Sequence, residues 1–470
     1  MTLPVEHEIT QPESGATPAE IILRPFREFA RRQASGGLVL MGASALALLW
    51  ANSRWAGAYR EVWSETGLKI EFGEFHISMN LLHWINDFLM GLFFLLVGLE
   101  IKREVLTGEL ASLRKSVLPI AAAVGGMLLP ALIYAALNAG QPTLRGWGVP
   151  MATDIAFSLG VLALLGERAP ISLKVFLATL AIADDIGALL VIALFYTEEL
   201  RLGFLALAAA PLLGMVGLNL FGVDRLAPYM LLGVLVWFFV LESGVHPTIA
   251  GVLVALPIPA RQAVRCEEFV SVTRRSLDYF DRQARRDGVI MTNPKLSGAL
   301  HAIKRACWLA EPPCQQLEHA LLPWVSLVIV PLFGLANAGV VLSAEVRGAI
   351  ASPVTLGAAL GLVVGKPLGI LLASWLAIRI GGASLPSGVT WRQLSGAACL
   401  GGIGFTMSLF IGHLAFTEPA ALEAAKIGVI GGSFISGVLG WLILRSATAE
   451  EPPAPGGARA RDHDAERRTT

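Results

Sequence analysis

Long apolar stretches recur along most of this chain and limit what it can fold into. A helix needs roughly 20 apolar residues to cross about 30 Å of hydrocarbon. The composition agrees with such crossings, since 54% of the residues are hydrophobic and 15% are charged, whereas soluble domains average about 25% charged. Twelve candidate spans lie near residues 36–53, 80–101, 116–139, 146–166, 172–196, 201–222, 226–241, 245–258, 320–342, 351–378, 393–414 and 423–446. We predict an all-α polytopic membrane protein with twelve transmembrane helices, whose partner is the lipid bilayer and not nucleic acid.

The basic residues orient these spans. With the N-terminus inside, most of the 36 Lys and Arg residues fall in alternate segments on one side, which the positive-inside rule assigns to the cytoplasm. The short stretches 226–241 and 245–258 could instead form one long helix, but the strongly basic segment 261–317 would then lie outside. We therefore predict two separate spans there and both termini in the cytoplasm.

The polar segments divide the chain into regions. Residues 1–34 form a cytoplasmic N-terminal tail, residues 35–446 a transmembrane domain, and residues 447–470, rich in Pro, Gly, Ala and charge, a disordered cytoplasmic tail. Residues 261–317 form a long cytoplasmic loop with a helical stretch near its start. A solvated linker, whose charge serves only the topology, is the favoured interpretation of this loop.

The outside loop at residues 54–79 contains a pattern typical of a β-hairpin. Ile70 and Phe72 alternate with polar residues before Gly73 and Glu74, and the alternation resumes after them up to residue 78. Glycine at the first turn position suits a tight two-residue turn. We predict a small extracytoplasmic β-hairpin at residues 68–78, with an irregular loop as the alternative.

Four charged residues lie well inside the apolar spans: Asp154, Asp184, Asp185 and Lys366. Each costs about 2.5–3.5 kcal/mol at mid-membrane, so such residues are usually paired, hydrated or functional.

Asp184 and Asp185 are adjacent near the middle of the fifth span. Two nearby carboxylates resist ionising together, and a carboxylate is also the hard oxygen ligand that small cations prefer. The pair can therefore hold protons or a cation in turn, as an exchanger requires. The alternative is a structural pair, in which one Asp caps a neighbouring helix and the other binds Lys366.

Two spans carry helix-breaking features at corresponding places. In the fourth, Pro150 precedes Thr153 and Asp154, and in the eleventh a glycine cluster precedes hydroxyl residues. The residues of the second break are Gly401, Gly402, Gly404 and Thr406. Because these spans are the middle members of helices 3–5 and 10–12, we predict inverted-topology repeats with crossing broken helices and a site at the crossing.

The charges near the crossing allow two interpretations. Asp154 could neutralise the positive ends of the half-helices, and Lys366 their negative ends. Alternatively, Lys366 pairs with Asp184 and is released when a cation binds.

Four further ionisable residues lie at predicted span ends: Glu100, Glu104, Glu318 and His246. The three Glu residues fall at cytoplasmic ends and His246 at the outside face. Histidine titrates near neutrality, so a role in sensing pH and a plain helix-end role are both open for His246.

Several motifs together resemble the NhaA family of bacterial sodium/proton antiporters, and the resemblance covers residues 35–446. The motifs are Trp84-Ile-Asn-Asp87, Gly98-Leu-Glu-Ile-Lys-Arg-Glu104, Ala152-Thr-Asp-Ile-Ala156, Asp184-Asp185, Ser243-Gly-Val-His246, Ala336-Asn-Ala-Gly339, Gly365-Lys-Pro-Leu-Gly369 and Gly402-Ile-Gly-Phe-Thr-Met407. The resemblance departs at Phe88, where a glycine is common, and in segment 261–317, which is longer than usual.

The resemblance implies secondary transport and not enzyme activity: exchange of cytoplasmic Na⁺, and Li⁺, for external H⁺, electrogenic, driven by the proton gradient and activated by pH. It implies a bacterial inner-membrane protein that supports pH regulation and salt tolerance, without a cofactor, and a homodimer joined through the hairpin.

The resemblance also implies roles for individual residues. Asp185 is the main carrier of cation and proton, Asp184 is its partner, and Thr153 joins them in holding Na⁺. Lys366 is the essential lysine, Thr153 and Asp154 belong to the broken helix, and Glu100, Glu104, Glu318 and His246 take part in the pH response.

Other function classes use similar features. A proton-coupled cation or solute symporter is the nearest alternative, and a passive channel is a more distant one. An intramembrane aspartyl protease also uses two membrane carboxylates, but it needs them facing each other from separate helices.

Overall fold

The computed structural model describes residues 18–447 apart from 73–74, 167–168, 198–199, 263, 285–292 and 342–345. The predicted C-terminal tail lies outside these residues except for Ala447. Helix α1 begins at Pro18, so its first part comes from the segment assigned to the N-terminal tail.

The described chain is almost entirely helical. In order, the helices are α1 (Pro18–Ala51), α2 (Ala56–Arg60), α3 (Leu81–Thr107), α4 (Leu113–Leu137), α5 (Pro142–Met151, in 3₁₀ form), α6 (Ile155–Ala163), α7 (Ile171–Phe195), α8 (Leu202–Leu220), α9 (Leu226–Glu242), α10 (Thr248–Ala255), α11 (Cys266–Ala284), α12 (Pro294–Ala310), α13 (Pro313–Asn337), α14 (Val346–Ile350), α15 (Pro353–Arg379), α16 (Trp391–Gly401), α17 (Phe405–Ala415) and α18 (Pro419–Ala447). Single helical turns at Glu61–Glu65 and Glu109–Ala111 complete the set.

Seven of these helices are long and apolar enough to cross a membrane, and within the described residues the number rises to nine if each of two bent helix pairs is one span. The seven are α3, α4, α7, α8, α13, α15 and α18. The prediction of a polytopic, helical membrane protein is therefore confirmed. Helices α9 and α10 are separate. Gly244 between them has a φ of +82°, a left-handed conformation that glycine adopts readily and that a continuous right-handed helix does not allow.

Two long helices carry a π-helical turn directly before a proline. In α15 the turn is Gly361–Gly365, and the N–H of Lys366 donates to the carbonyl of Gly361, five residues back. In α13 the turn is Val325–Ile329, ahead of Pro331. Proline has no N–H and its ring clashes with the preceding turn, and a π-helical turn is an interruption often found at functional sites. Lys366 thus lies at an irregular point of an otherwise regular helix.

Helices α4 and α15 approach each other with backbone against backbone. Neither Gly125 nor Gly369 has room for a side chain, because each lies against the backbone of the other. Close approach through small residues is typical of helix packing in membranes. The contact fixes α15 against its neighbour just one turn from Lys366.

The buried apolar residues form two clusters. The larger one surrounds the two bent helix pairs, and the smaller one joins α3 to α8, α9 and α10. Helix α8 has the smallest buried share of the seven long helices, with Leu202, Leu213 and Leu220 between 69% and 80% exposed. In a membrane protein such leucines face lipid.

Strands β1 (Gly67–Phe72) and β2 (Phe75–Asn80) pair antiparallel, in a register that runs from Gly67 opposite Asn80 to Phe72 opposite Phe75. The predicted hairpin is therefore present, and its turn, Gly73 and Glu74, lies outside the described residues. In the long loop, α11 and α12 pack against each other, so segment 261–317 contains two packed helices and not a bare linker.

Candidate functional site

Two bent helix pairs meet at their breaks. Helices α5 and α6 bend by 41° across residues 152–154, and α16 and α17 bend by 41° across residues 402–404. The N–H of Asp154 donates to the carbonyl of Ile403 (2.7 Å), and the Thr153 hydroxyl donates to the carbonyl of Gly401 (2.9 Å). Each break therefore satisfies backbone groups that the other leaves free.

The Asp154 carboxylate caps two helices at once. Its Oδ1 accepts from the N–H of Phe157 in α6 (2.9 Å), and its Oδ2 accepts from the N–H (3.0 Å) and the hydroxyl (2.6 Å) of Thr406 in α17. Helix N-termini carry partial positive charge and free N–H groups. The fully buried carboxylate thus holds the two positive helix ends together.

The second break has a further support in α18 that the sequence analysis did not find. The Ser433 hydroxyl oxygen accepts from the N–H groups of Gly404 (3.2 Å) and Phe405 (3.1 Å). A single serine in an apolar helix is common, so the sequence holds no signal for this contact.

Lys366 joins the aspartate pair to the crossing. Its ammonium group donates to Asp184 Oδ2 at 2.6 Å and to the carbonyl of Met151, the last residue of α5. All three groups are buried. Lys366 therefore contacts both partners that the sequence left open: the carboxylate of Asp184 and the partially negative end of a half-helix.

A cavity of ≈ 20 Å³ lies beside the crossing. The polar residues of its wall are Glu100, Thr153, Asp154, Asp185, Ser326 and Thr406, and apolar residues of α3, α6, α13 and α17 form the rest. Asp185 Oδ1 and Glu100 Oε1 are buried and have no hydrogen-bond partner among the described residues. The cavity has room for about one water molecule, and its oxygen atoms are ligands of the kind that small hard cations use.

The position of Glu100 differs from the one the sequence suggested. Its place in the sequence predicts a cytoplasmic span end, whereas Glu100 lies on the cavity wall with Asp185. The sequence alone does not show which helix packs against the crossing, so it could not separate Glu100 from Glu104.

Glu104 and Glu318 instead surround Arg103. The Arg103 guanidinium contacts the Glu318 carboxylate and lies 3.4 Å from Glu104 Oε1. This ion-pair cluster joins α3 to the start of α13, one helical turn along α3 from Glu100.

His246 lies in a third place. Its Nδ1 is 2.8 Å from the Thr248 hydroxyl, its Nε2 is 3.7 Å from Asp87 Oδ1, and the edge of its ring meets Phe410. The three Glu residues proposed for the pH response thus lie around or near Arg103, whose charge also acts on Glu100, and His246 lies apart from them.

Two of the motifs that carry the family resemblance meet in space. The Asn337 side-chain amide donates to Asn86 Oδ1 at 3.0 Å. Next to this pair, Phe88 packs edge-on against Trp84 and Trp237, with ring centroids 5.9 and 5.2 Å apart. Phe88, at which the resemblance departs, thus belongs to an aromatic cluster.

Buried ionisable groups around crossed, interrupted helices in a multi-pass membrane protein define the architecture of a secondary ion transporter. Comparison with known proteins agrees, because the model of the family described as Na+/H+ antiporter 1 matches residues 27–444. The chain belongs to this family, as the motifs predicted.

Individual relatives match over nearly their whole length. The Na(+)/H(+) antiporter NhaA of Oleidesulfovibrio alaskensis is 49% identical over 439 residues, which cover 93% of this chain and 97% of the relative. That of Koribacter versatilis is 47% identical over 446 residues, covering 94% and 96%. That of Bordetella parapertussis is 50% identical over 420 residues, covering 89% and 95%.

Proposed function

We propose that this protein exchanges cytoplasmic Na⁺ for external H⁺, with Asp185 as the residue that carries each ion in turn. The observation that carries the proposal is the environment of Asp185: a buried carboxylate oxygen without a partner among the described residues, on the wall of a small polar cavity. A carboxylate in this setting can bind a proton or a cation, and binding of either one excludes the other.

Asp184 has a different role in this scheme. Its Oδ2 is bound to Lys366, whereas its Oδ1 is buried without a hydrogen-bond partner among the described residues, so Oδ2 joins the cation site only when the contact with Lys366 opens. Na⁺ held by Asp185 and Thr153 would draw Asp184 away from Lys366, and loss of Na⁺ would let the pair close again. Two carboxylates that respond together allow more than one proton per Na⁺ and therefore electrogenic transport driven by the proton gradient.

The crossing supplies the movement. Asp154 and Ser433 tie the half-helices into one unit through side-chain hydrogen bonds, so the unit can reorient while the breaks stay intact. We propose that α4–α7 and α15–α18 contain the two inverted repeats, which reorient together to expose the cavity to each side in turn.

The proposed membrane arrangement has twelve spans. Nine of them are the apolar spans of the described residues, with each bent pair counted as one span. The other three are the shorter helices α9 and α10 and the apolar part of α1, Ser35–Ala51. With both termini in the cytoplasm of a bacterial inner-membrane protein, segment 261–317 is cytoplasmic. The β-hairpin joins two protomers, since an isolated two-stranded sheet is only marginally stable. Transport of Li⁺ and activation by pH through Glu100, Glu104, Glu318 and His246 complete the proposal.

The test is proton movement in inverted membrane vesicles after addition of Na⁺. We expect Asp185→Asn to lower Na⁺-dependent proton flux by at least about 100-fold, because the amide neither ionises nor releases a proton. Asp278→Asn, which makes the same change on exposed α11, serves as the control and keeps normal flux. Normal flux in Asp185→Asn would refute the assignment.

The same vesicles separate exchange from the nearest alternatives. Antiport moves protons opposite to Na⁺ whichever way the Na⁺ gradient is imposed, whereas symport moves both in the same direction and a channel carries current without protons. A protease dyad would require Asp154 to share a proton with Asp185, yet both Asp154 oxygens already accept hydrogen bonds.

A further inference from the structure

The long loop at residues 261–317 carries an exposed basic and aromatic face on α12. His301, Lys304, Arg305 and Trp308 are all exposed and, at 100° per residue, fall on one side of the helix. Leu296, Ala299 and Ala306 are buried on the opposite side, and α12 packs against α11. We refer to the four exposed residues as the α12 face.

The charge of this face is of one sign. The sequence of α12 contains no Asp or Glu, and within the described part of the chain neither Lys304 nor Arg305 makes an ion pair. Trp308, between them on the wheel, is 45% exposed. Helix α11, by contrast, mixes its three Arg residues with four carboxylates. The two packed helices therefore present chemically different surfaces.

The end of α12 is tied to a membrane-spanning helix. The Gln316 amide, in α13, donates to the carbonyls of Trp308 (2.6 Å) and Glu311 (2.7 Å). His319 Nδ1, also in α13, lies 2.7 Å from Glu311 Oε1. These contacts hold Trp308 beside the polar first turns of α13, ahead of its apolar length. Trp with flanking Lys and Arg is the composition found where a protein meets lipid headgroups.

We propose that the α12 face is a docking surface for anionic phospholipid headgroups at the membrane surface where α13 enters the bilayer. Arg305 offers a planar pair of donors to a phosphate, Lys304 adds a second cation, and the Trp308 ring lies at headgroup depth with its N–H toward water. The lipid would fix α12, and through Gln316 and His319 the start of α13 that carries Glu318. The proposal rests on the protein being a membrane protein of its family and not on the proposed exchange of ions.

The test compares two matched triple variants of the full-length protein, purified in neutral detergent and stripped of lipid. Lys304→Glu/Arg305→Glu/Trp308→Ala alters the α12 face. Arg274→Glu/Arg275→Glu/Tyr279→Ala makes the same charge change and removes an exposed aromatic ring on α11. The midpoint of thermal unfolding is measured in micelles with phosphatidylcholine alone or with added phosphatidylglycerol.

We expect the unfolding midpoint of the wild type and of the α11 variant to be about 4 °C higher with phosphatidylglycerol than with phosphatidylcholine alone. For the α12 variant we expect less than a quarter of that difference. Equal shifts in all three proteins would show that lipid acts elsewhere and would overturn the proposal. If the α12 triple variant does not fold, Lys304→Gln/Arg305→Gln takes its place and is expected to lose most of the shift.

Two further measurements identify other occupants. Inorganic phosphate that reproduces the shift in lipid-free micelles would show a free-anion site, which contradicts the proposal. A change of mass in light scattering that only the α12 variant shows would mean that a second copy covers the face, which contradicts the proposal as well. Ion flux enters none of these readouts, so failure here and failure of the proposed exchange remain distinguishable.

Discussion

Two carboxylates on one cavity wall, Asp154 and Asp185, are buried to the same degree but bonded in opposite ways. The Asp154 oxygens accept three hydrogen bonds from two helices, whereas Asp185 Oδ1 has no partner among the described residues. Buried polar atoms are almost always hydrogen-bonded, and each exception asks for an explanation. The contrast supports the proposal that Asp154 holds the crossing together and that Asp185 is kept available for a transported ion.

The largest effect on stability is expected where a charge pair is broken. Lys366→Met leaves the Asp184 carboxylate buried without its cation, which typically costs about 3 kcal/mol or more. We expect a markedly lower midpoint in chemical or thermal unfolding of the detergent-solubilised protein.

The control for this prediction removes both charges. Lys366→Met/Asp184→Asn should regain most of the lost stability, because a buried ion pair replaced by neutral groups is often no less stable. A single Lys366→Met variant as stable as the wild type would mean that the Lys366–Asp184 contact contributes little to the fold.

The next effect tests the structural half of the comparison. Asp154→Asn keeps one acceptor oxygen and replaces the other with an NH₂ group. That NH₂ group then faces a donor, either the N–H of Phe157 or the N–H and hydroxyl of Thr406, so one helix end loses its acceptor. We expect a loss of about 2 kcal/mol, read from the same unfolding experiment. Thr406→Val, which removes one donor and keeps the carboxylate, is expected to cost about half as much; an Asp154→Asn variant with wild-type stability would show that the cap is dispensable.

The site shows what the sequence could and could not predict. Adjacent aspartates, a buried lysine and glycine or proline breaks are conspicuous in apolar helices, because hydrocarbon penalises each of them. The sequence therefore predicts both breaks, which the structure contains, and singles out Asp184, Asp185 and Lys366 as candidate site residues.

Contacts between helices far apart in the chain were not predictable in the same way. Ser433 supports a break from another helix, and Glu100 reaches the cavity only because α3 packs beside the crossing. For Lys366 two partners remain open from the sequence alone, and the ammonium group contacts both. Side-chain periodicity defines the face of one helix, but it does not identify the helix that packs against that face.

The smallest stability effect is expected at Asp185, the residue proposed to carry each ion. Asp185→Asn replaces a buried carboxyl group whose Oδ1 accepts no hydrogen bond from the described residues. The free energy of unfolding should therefore stay within about 0.5 kcal/mol of the wild-type value, or rise slightly. Together with the loss of flux expected for the same variant, this result would separate transport from stability at one position. A loss as large as that of Asp154→Asn would instead place Asp185 among the residues that hold the crossing, and the contrast between the two carboxylates would fail.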